Sequence, residues 1–400
     1  LPDRTQAPSN EELPVLRDDA SIAQVVSEAR AAHRFGLDTE FLREKTYRAR
    51  LCLVQVSTPD GVYLIDPLES VDLAPLGDLI ADEGVEVIVH AGRQDFELFY
   101  ERFGVVPGNV FDVQLAAAFA GYGASLPYGR LVETITGTSL EKGESYTDWC
   151  RRPLTTSQLT YAADDVRYLI EISDRLRQKL ESLGRLDWAL NEMSSFETAD
   201  AYGTEPSEAW RKVSGRGSLS GRQAAALRGL AAWREESAAR RDLPRGWIIK
   251  DQTLIEIARR MPATQQALKG IRGINAREAE RSADQIIEAI ERSKKAASPA
   301  TTPAPPRHAQ ARARMLSGLA DAVVRARCES AEMATELVST RGELEALLAD
   351  LFAGSLDPKR HRLLQGWRRE LAGDAVVALG EGRIAVRSID KPPYVEEVEL

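Results

Sequence analysis

The chain has 400 residues, 43% apolar and 28% charged, enough for two or three globular domains with substantial cores. No apolar stretch approaches the roughly 20 residues that cross a bilayer as a helix, so no membrane association is expected. The net charge of −9 argues against a polyanion partner only until it is divided along the chain. Residues 1–208 hold 19 Lys and Arg against 36 Asp and Glu, residues 209–296 hold 19 against 10, and residues 297–400 hold 14 against 15. A basic module between an acidic and a near-neutral one fits a polyanion partner or well-solvated helix faces, and charge alone leaves both open.

In chain order, residues 1–24 read as an N-terminal extension. Its polar start, Leu1 to Asn10 with Pro2 and Pro8, lacks the pattern of a secretory signal. Strands are expected over 34–41, 51–57, 62–65 and 85–90, with Pro59-Asp60-Gly61 turning the second into the third. Helical patterns cover 74–82, 93–104, 112–120 and 127–136, and a long one lies near 156–183. Hairpin-like strands ahead of helices predict a mixed sheet, so residues 25–196 form one α/β domain.

Residues 197–208 read as a linker, and 209–296 as a helical module broken at Asp242 to Gly246 and Gly270 to Gly273. Four prolines between Ala296 and Pro306 predict an extended linker, assigned to 297–310. The third domain, 311–390, is helical to about 373, with a hairpin expected over 375–387 around Gly380-Glu381-Gly382. The tail, 391–400, is expected to be loosely held. The second and third segments are compatible with diverged copies of one helical design.

Cys52, Cys150 and Cys328 are odd in number and far apart, so no disulfide framework is expected and a reducing cytoplasm is the default location. Cys52, inside Leu51-Cys52-Leu53-Val54, reads as a small buried hydrophobe. Four histidines without an HExxH pattern argue against zinc.

The chemistry starts at Asp38-Thr39-Glu40. Residues i and i+2 of a strand share a face, so two carboxylates stand side by side between apolar Leu37 and Phe41. Such a pair repels itself unless a cation lies between, although acidic pairs at strand ends are often only solvated. On a helix Tyr161 and Asp165 share a face at i and i+4, whereas Asp164 points towards solvent or a neighbouring loop. Asp95 follows the strand ending at His90, in the first turn of a helix, where an acidic residue can simply complement the helix dipole.

Taken together, these groups resemble the ribonuclease D family, in the tyrosine branch of the DEDD exonuclease superfamily, over residues 25–190. Asp38-Thr39-Glu40-Phe41 matches the first exonuclease motif, His90-Ala91-Gly92-Arg93-Gln94-Asp95 the second, and Tyr161-Ala162-Ala163-Asp164-Asp165 the third. Phe111-Asp112-Val113-Gln114 and Asp148-Trp149-Cys150-Arg151-Arg152-Pro153-Leu154 resemble stretches typical of ribonuclease D itself. Thr160 stands where the other branch has histidine.

The resemblance implies a ribonuclease-H-like exonuclease domain and a two-metal mechanism using Mg²⁺ or Mn²⁺. It makes Asp38, Glu40, Asp95, Tyr161 and Asp165 catalytic. Asp38 would bridge both cations, Glu40 and Asp165 would hold the one carrying the attacking water, and Asp95 would act on the cluster directly or through water. Tyr161, with an ordinary pKa near 10, would orient that water. Phe41 would contact the terminal nucleotide or lie in the core.

The basic segment resembles an HRDC domain through Arg241-Asp242-Leu243-Pro244-Arg245-Gly246-Trp247-Ile248-Ile249-Lys250-Asp251 and Leu268-Lys269-Gly270-Ile271-Arg272-Gly273-Ile274. Trp247 and Ile248 are expected in its core, helix entries around 270–275 could offer N–H groups to phosphate, and Lys250, Lys269 and Arg272 are candidate RNA-backbone contacts. The third segment, with Leu364-Gln365-Gly366-Trp367-Arg368, resembles a second HRDC-like domain.

The implied activity is 3′→5′ exoribonucleolytic release of nucleoside 5′-monophosphates from RNA 3′ ends such as tRNA precursors, with no obligate protein partner. The alternatives are a 3′→5′ DNA exonuclease and an HRDC-type nucleic-acid binder with an inactive nuclease domain. A helicase is disfavoured because no GxxxxGK[ST] loop exists.

Overall fold

The computed structural model describes residue 13 and residues 15–141, 147–203, 205–216, 219, 221–295 and 305–400. Most of the expected N-terminal extension (1–12) and of the Pro-rich linker (296–304) lies outside the described residues.

The first domain opens with β1 (Val15–Leu16) and α1 (Asp19–Ala32). The Asp18 carboxylate caps α1 by accepting from the Ser21 amide, and Ile22, Val25, Val26 and Ala29 form its buried stripe. The boundary expected at residue 25 therefore falls inside a helix. Next come β2 (Arg34–Leu42), β3 (Arg50–Thr58), β4 (Gly61–Ile65), α2 (Ala74–Ile80), β5 (Glu86–Val89) and α3 (Arg93–Phe103). β6 (Val110–Asp112), α4 (Val113–Phe119), α5 (Tyr128–Thr136), α6 (Thr156–Arg167), α7 (Leu169–Ser182) and α8 (Leu186–Met193) complete the domain.

Six strands form one sheet in the order β1-β4-β3-β2-β5-β6. β2 and β4 flank β3 antiparallel, while β1–β4, β2–β5 and β5–β6 are parallel, giving the expected mixed sheet. β6 was hidden in sequence because three residues carry no readable period; pairing with β5 makes them a strand. The long helical pattern near 156–183 is two helices that meet at Tyr168.

β3 is buried from Leu51 to Thr58, which explains its unbroken apolar run. Gly36 of β2 permits the close approach of α7: a Cβ there would collide with the Ser57 hydroxyl and reach 3.0 Å from a Leu169 methyl.

Cys52 and Cys150 are joined as a disulfide with Cα atoms 5.0 Å apart, which corrects the expectation of unpaired cysteines. β3 carries Cys52 to the face covered by Trp149, Ala162 and Ala163, so tertiary packing joins residues 98 apart in sequence. The cysteine pattern therefore no longer argues for a reducing compartment. Cys328 is buried and free.

The second domain consists of α9 (Gly221–Arg241), α10 (Arg245–Ile248), α11 (Asp251–Arg260), α12 (Gln265–Lys269) and α13 (Ala276–Lys295), around its own core of Leu227, Leu230, Leu254, Ile257 and Ile286. The stretch read as a linker is packed down: Tyr202 is buried, its hydroxyl donates to the Phe196 carbonyl, and its ring meets Phe96 at 6.3 Å.

The third segment contains α14 (Arg307–Ser330), α15 (Thr335–Val338), α16 (Arg341–Phe352), α17 (Gly366–Arg368), one π-helical turn over Arg369–Gly373, and α18 (Asp374–Glu381). It shares one continuous core with the first domain. Trp367 stacks on Trp188 at 5.6 Å and meets Phe119 edge-on at 5.0 Å, while Arg368 pairs with Glu192 at 2.7 Å.

The hairpin expected over 375–387 is displaced. Residues 374–381 are helical, Gly382 (φ 75°) is the left-handed cap, and the hairpin is β7 (Ile384–Ser388) with β8 (Val395–Glu399). Helix caps and hairpin turns both select glycine for positive φ, so Gly380-Glu381-Gly382 fits either. β8 lies in the stretch expected to be a loose tail. Among the described residues no helix is long and apolar enough to cross a membrane.

Candidate active site

The five residues singled out by sequence lie on three elements: Asp38 and Glu40 on β2, Asp95 on α3, Tyr161 and Asp165 on α6. Carboxylate oxygens of Asp38, Glu40 and Asp165 all lie within 4.8 Å of one another, the arrangement expected of β2 spacing opposed by α6. A register shift between Glu40 and Phe41 marks a bulge at the edge of this cluster. Phe41 is half-buried against the main core.

α6 is aimed by a capping box in which Thr155 and Gln158 satisfy each other's backbone N–H groups. The Tyr161 hydroxyl hydrogen-bonds to Asp165. Asp164 lies outside the three-carboxylate cluster and pairs with Arg167 at 2.9 Å.

Asp95 stands outside the 4.8 Å cluster but within electrostatic reach of it. It is buried and accepts a hydrogen bond from Thr39 Oγ1. The turn before it is held by buried Asp112, whose carboxylate accepts from the Ala91 and Gly92 amides at 3.2 Å while capping α4. Gly92 is required there because a Cβ would come within 2.5 Å of Val89.

Behind Tyr161, buried Trp149 lies with ring centroids 6.0 Å apart. Arg152 fixes that loop through two 2.6 Å bonds to buried Asp66 and a third to the Cys52 carbonyl. Sequence reasoning did not assign these supporting roles to Thr39, Asp112 or Arg152. The only available signal was their position inside or beside the motifs.

Buried, mutually repelling carboxylates set the electrostatics of the site. Burial, then the charges of Asp95, Asp165 and Glu40, hold the Asp38 carboxyl well above its ordinary range. Burial and the charges of Asp165 and Asp95 push Glu40 up to about 8. Burial raises Asp95 to about 7 against the opposing Thr39 bond, and Asp165 to about 7 against the Tyr161 bond. So many carboxylates cannot all ionise together without a counter-charge. Their hard oxygen donors fit a divalent cation such as Mg²⁺ or Mn²⁺.

A cavity of about 750 Å³ opens between α5 and α6, lined by Tyr128, Arg130, Thr160, Tyr161, Asp164 and Asp165. Burial, with the charges of Asp165 and Asp38, holds the Tyr128 phenol well above its usual range.

Residues 15–181 match the family described as 3′-5′ exonuclease, and residues 223–290 match the HRDC domain. The chain is 37% identical to ribonuclease D of Acidiphilium cryptum over 392 residues, covering 97% of each protein. It is 37% identical to ribonuclease D of Gluconacetobacter diazotrophicus over 368 residues, covering 90% of this chain and 91% of that protein. The chain belongs to the ribonuclease D family.

It is a 3′→5′ exoribonuclease with an α/β exonuclease domain followed by a helical HRDC domain. The fold is similar to the crystal structure of Escherichia coli RNase D, described as an exoribonuclease involved in structured RNA processing. The TM-score is 0.80 at 30% identity, covering 93% of this chain and 99% of that one. The exonuclease fold and its acidic cluster together support divalent-metal use.

In this ribonuclease D relative the HRDC domain docks onto the loop that follows the catalytic strand β2. The Tyr47 and Arg48 amides both donate to Asp242 at 3.1 Å, the Tyr47 hydroxyl donates to Glu235, and Arg245 lies 4.8 Å over the Tyr47 ring. Trp247, expected in the core, is 61% exposed, because the single turn of α10 directs only Ile248 inward. Lys250 and Arg272 are exposed, whereas Lys269 is paired with Glu280 at 2.8 Å. Asn275 caps the start of α13 by accepting from the Arg277 amide at 2.9 Å, so one of that end's N–H groups is already satisfied.

Proposed function

We propose that this exoribonuclease shortens RNA 3′ ends, tRNA precursors among them, with two Mg²⁺ or Mn²⁺ ions held by Asp38, Glu40, Asp95 and Asp165. The observation that carries this reading is the convergence of the Asp38, Glu40 and Asp165 oxygens within 4.8 Å, with Tyr161 bonded to Asp165. Two such cations supply an acidified water, neutralise the phosphate charge and support the leaving 3′ oxygen.

The chain's own residues orient the reaction. Asp38, on one of the two middle strands of the sheet, would contribute to both cation positions. Glu40 and Asp165 would hold the one carrying the attacking water, and Asp95, steadied by Thr39, would act on the cluster directly or through water. Tyr161, whose hydroxyl is bonded to Asp165, would orient that water rather than act as the free base. The cavity beside α5 gives the terminal nucleotides room next to Tyr161 and Asp165. Products are nucleoside 5′-monophosphates.

The HRDC domain grips the RNA backbone through the exposed Lys250 and Arg272, with Lys269 contributing on release from Glu280. The third segment is a diverged second HRDC-like domain. It repeats the order of a long helix, a four-residue helix and a helix of 10 to 12 residues seen in α9 to α11 and again in α14 to α16. The working location is the cytoplasm, where RNA precursors are trimmed.

One experiment tests the reading: 3′- and 5′-labelled RNA and DNA incubated with Mg²⁺, Mn²⁺ or EDTA. Mononucleotide release from 3′-labelled RNA, abolished by EDTA, is the expected result. Preferential digestion of DNA, or activity in EDTA, would overturn it.

A further inference from the structure

β3 places Gln55 directly opposite Asp38 in antiparallel register. Residues so paired share a face, with Cβ atoms about 5 Å apart. On that face Gln55 is flanked by Leu53, which packs with Ala162 and Ala163, and by Ser57, whose hydroxyl donates to the Val166 carbonyl at 2.8 Å. Gln55 therefore lies beneath the stretch of α6 that carries Tyr161 and Asp165, beside the first catalytic carboxylate.

Its side chain is completely buried, and neither amide nitrogen nor amide oxygen has a hydrogen-bond partner. Leaving such a group unpaired is costly, whereas an apolar residue of the same volume would carry no such cost. Local packing alone thus favours leucine. Strand ladders occupy the neighbouring backbone groups, and α6 occupies its own. The carboxylate that strand register sets directly opposite this amide is that of Asp38.

We propose that Gln55 is a positioning residue for Asp38. In the cation-loaded enzyme Gln55 Nε2 donates to the Asp38 carboxylate, fixing which of its lone pairs face the cations. The inference rests on Asp38 being a metal ligand.

The test uses the full chain carrying Gln55→Leu, with Gln55→Met as a second variant of the same reach. Three quantities are read: melting temperature in EDTA, Mn²⁺ affinity of the RNA-free protein by electron paramagnetic resonance, and kcat and KM on 3′-labelled RNA. Both variants should melt in EDTA at or above the wild-type temperature. They should bind Mn²⁺ roughly 10–100-fold more weakly, the usual effect of losing a partner that orients a ligand. Turnover should fall in kcat with KM for RNA nearly unchanged. Wild-type Mn²⁺ affinity and kcat in both variants overturn the proposal, as does a lower melting temperature with unaltered Mn²⁺ affinity, which marks a purely structural role. Failure of the wild-type protein itself to bind Mn²⁺ would instead overturn the metal-site reading on which the proposal rests.

Discussion

Thr39 Oγ1 donates a hydrogen bond to Asp95 Oδ1, tying the strand that carries the first two carboxylates to the helix that carries another. Both residues are buried, so the bond is not shared with solvent. Thr39→Val keeps the shape and removes the donor. Without it the Asp95 carboxyl loses an interaction that opposes its upward shift. We expect kcat at pH 7 to fall about 10–100-fold, with partial recovery at higher pH and little change in KM for RNA. A kcat unchanged at pH 7 would show that the bond does not serve the site.

The acidic cluster predicts how stability responds to pH. The carboxyls of Asp38, Glu40, Asp95 and Asp165 are all raised, so the folded chain retains protons that the unfolded chain releases. Their contribution to stability is full below about pH 4 and is lost as pH rises towards about 8. Asp38→Asn removes one source of repulsion. In EDTA at pH 8 the variant should melt above wild type by roughly 2–4 °C, the shift given by about 1 kcal/mol in a domain of this size. The difference should vanish near pH 4, and exonuclease activity should be lost. Calorimetry across this range in EDTA, repeated with Mg²⁺, checks the sign; equal melting at pH 8 would contradict it. Cation affinity should itself rise between pH 6 and 8, because binding displaces the retained protons.

Asp242 accepts from the Tyr47 and Arg48 amides of the β2–β3 loop and has a positive φ of 47°. Asp242→Gly keeps the backbone accessible while deleting the acceptors. Undocking of the HRDC domain should raise KM for long structured RNA about tenfold, equivalent to about 1.4 kcal/mol. Turnover of a short oligonucleotide, which needs only the cavity beside α5, should be nearly unaffected. Equal losses on both substrates would place the effect in the catalytic domain.

The Cys52–Cys150 disulfide closes a loop of 98 residues across the face beneath α6. Loss of such a link should reduce stability by about 2–4 kcal/mol, largely through the unfolded chain. Urea denaturation with and without reductant, with Cys150→Ser as control, measures this. A midpoint insensitive to reductant would mean that the link contributes nothing. Activity at 25 °C should survive reduction, because Arg152 still anchors the loop to Asp66.

By itself the sequence determined the short-range geometry of the site. A period of two puts Asp38 and Glu40 on one face of β2, and a spacing of four puts Tyr161 beneath Asp165 on α6; these are properties of local backbone. The charge division along the chain likewise marks the basic module from composition alone. Relationships between segments distant in sequence depended on the order in which strands pair and helices cover them. Asp95 could have been a helix-dipole residue until Thr39 was found beside it. Cys52 and Cys150 had no visible link, and Trp247 read as core although its one-turn helix leaves it in solvent. Gln55 was one more polar residue in an apolar strand. Only pairing of β3 with β2 set it opposite Asp38, because strand register and helix cover arise from long-range packing rather than from any local period.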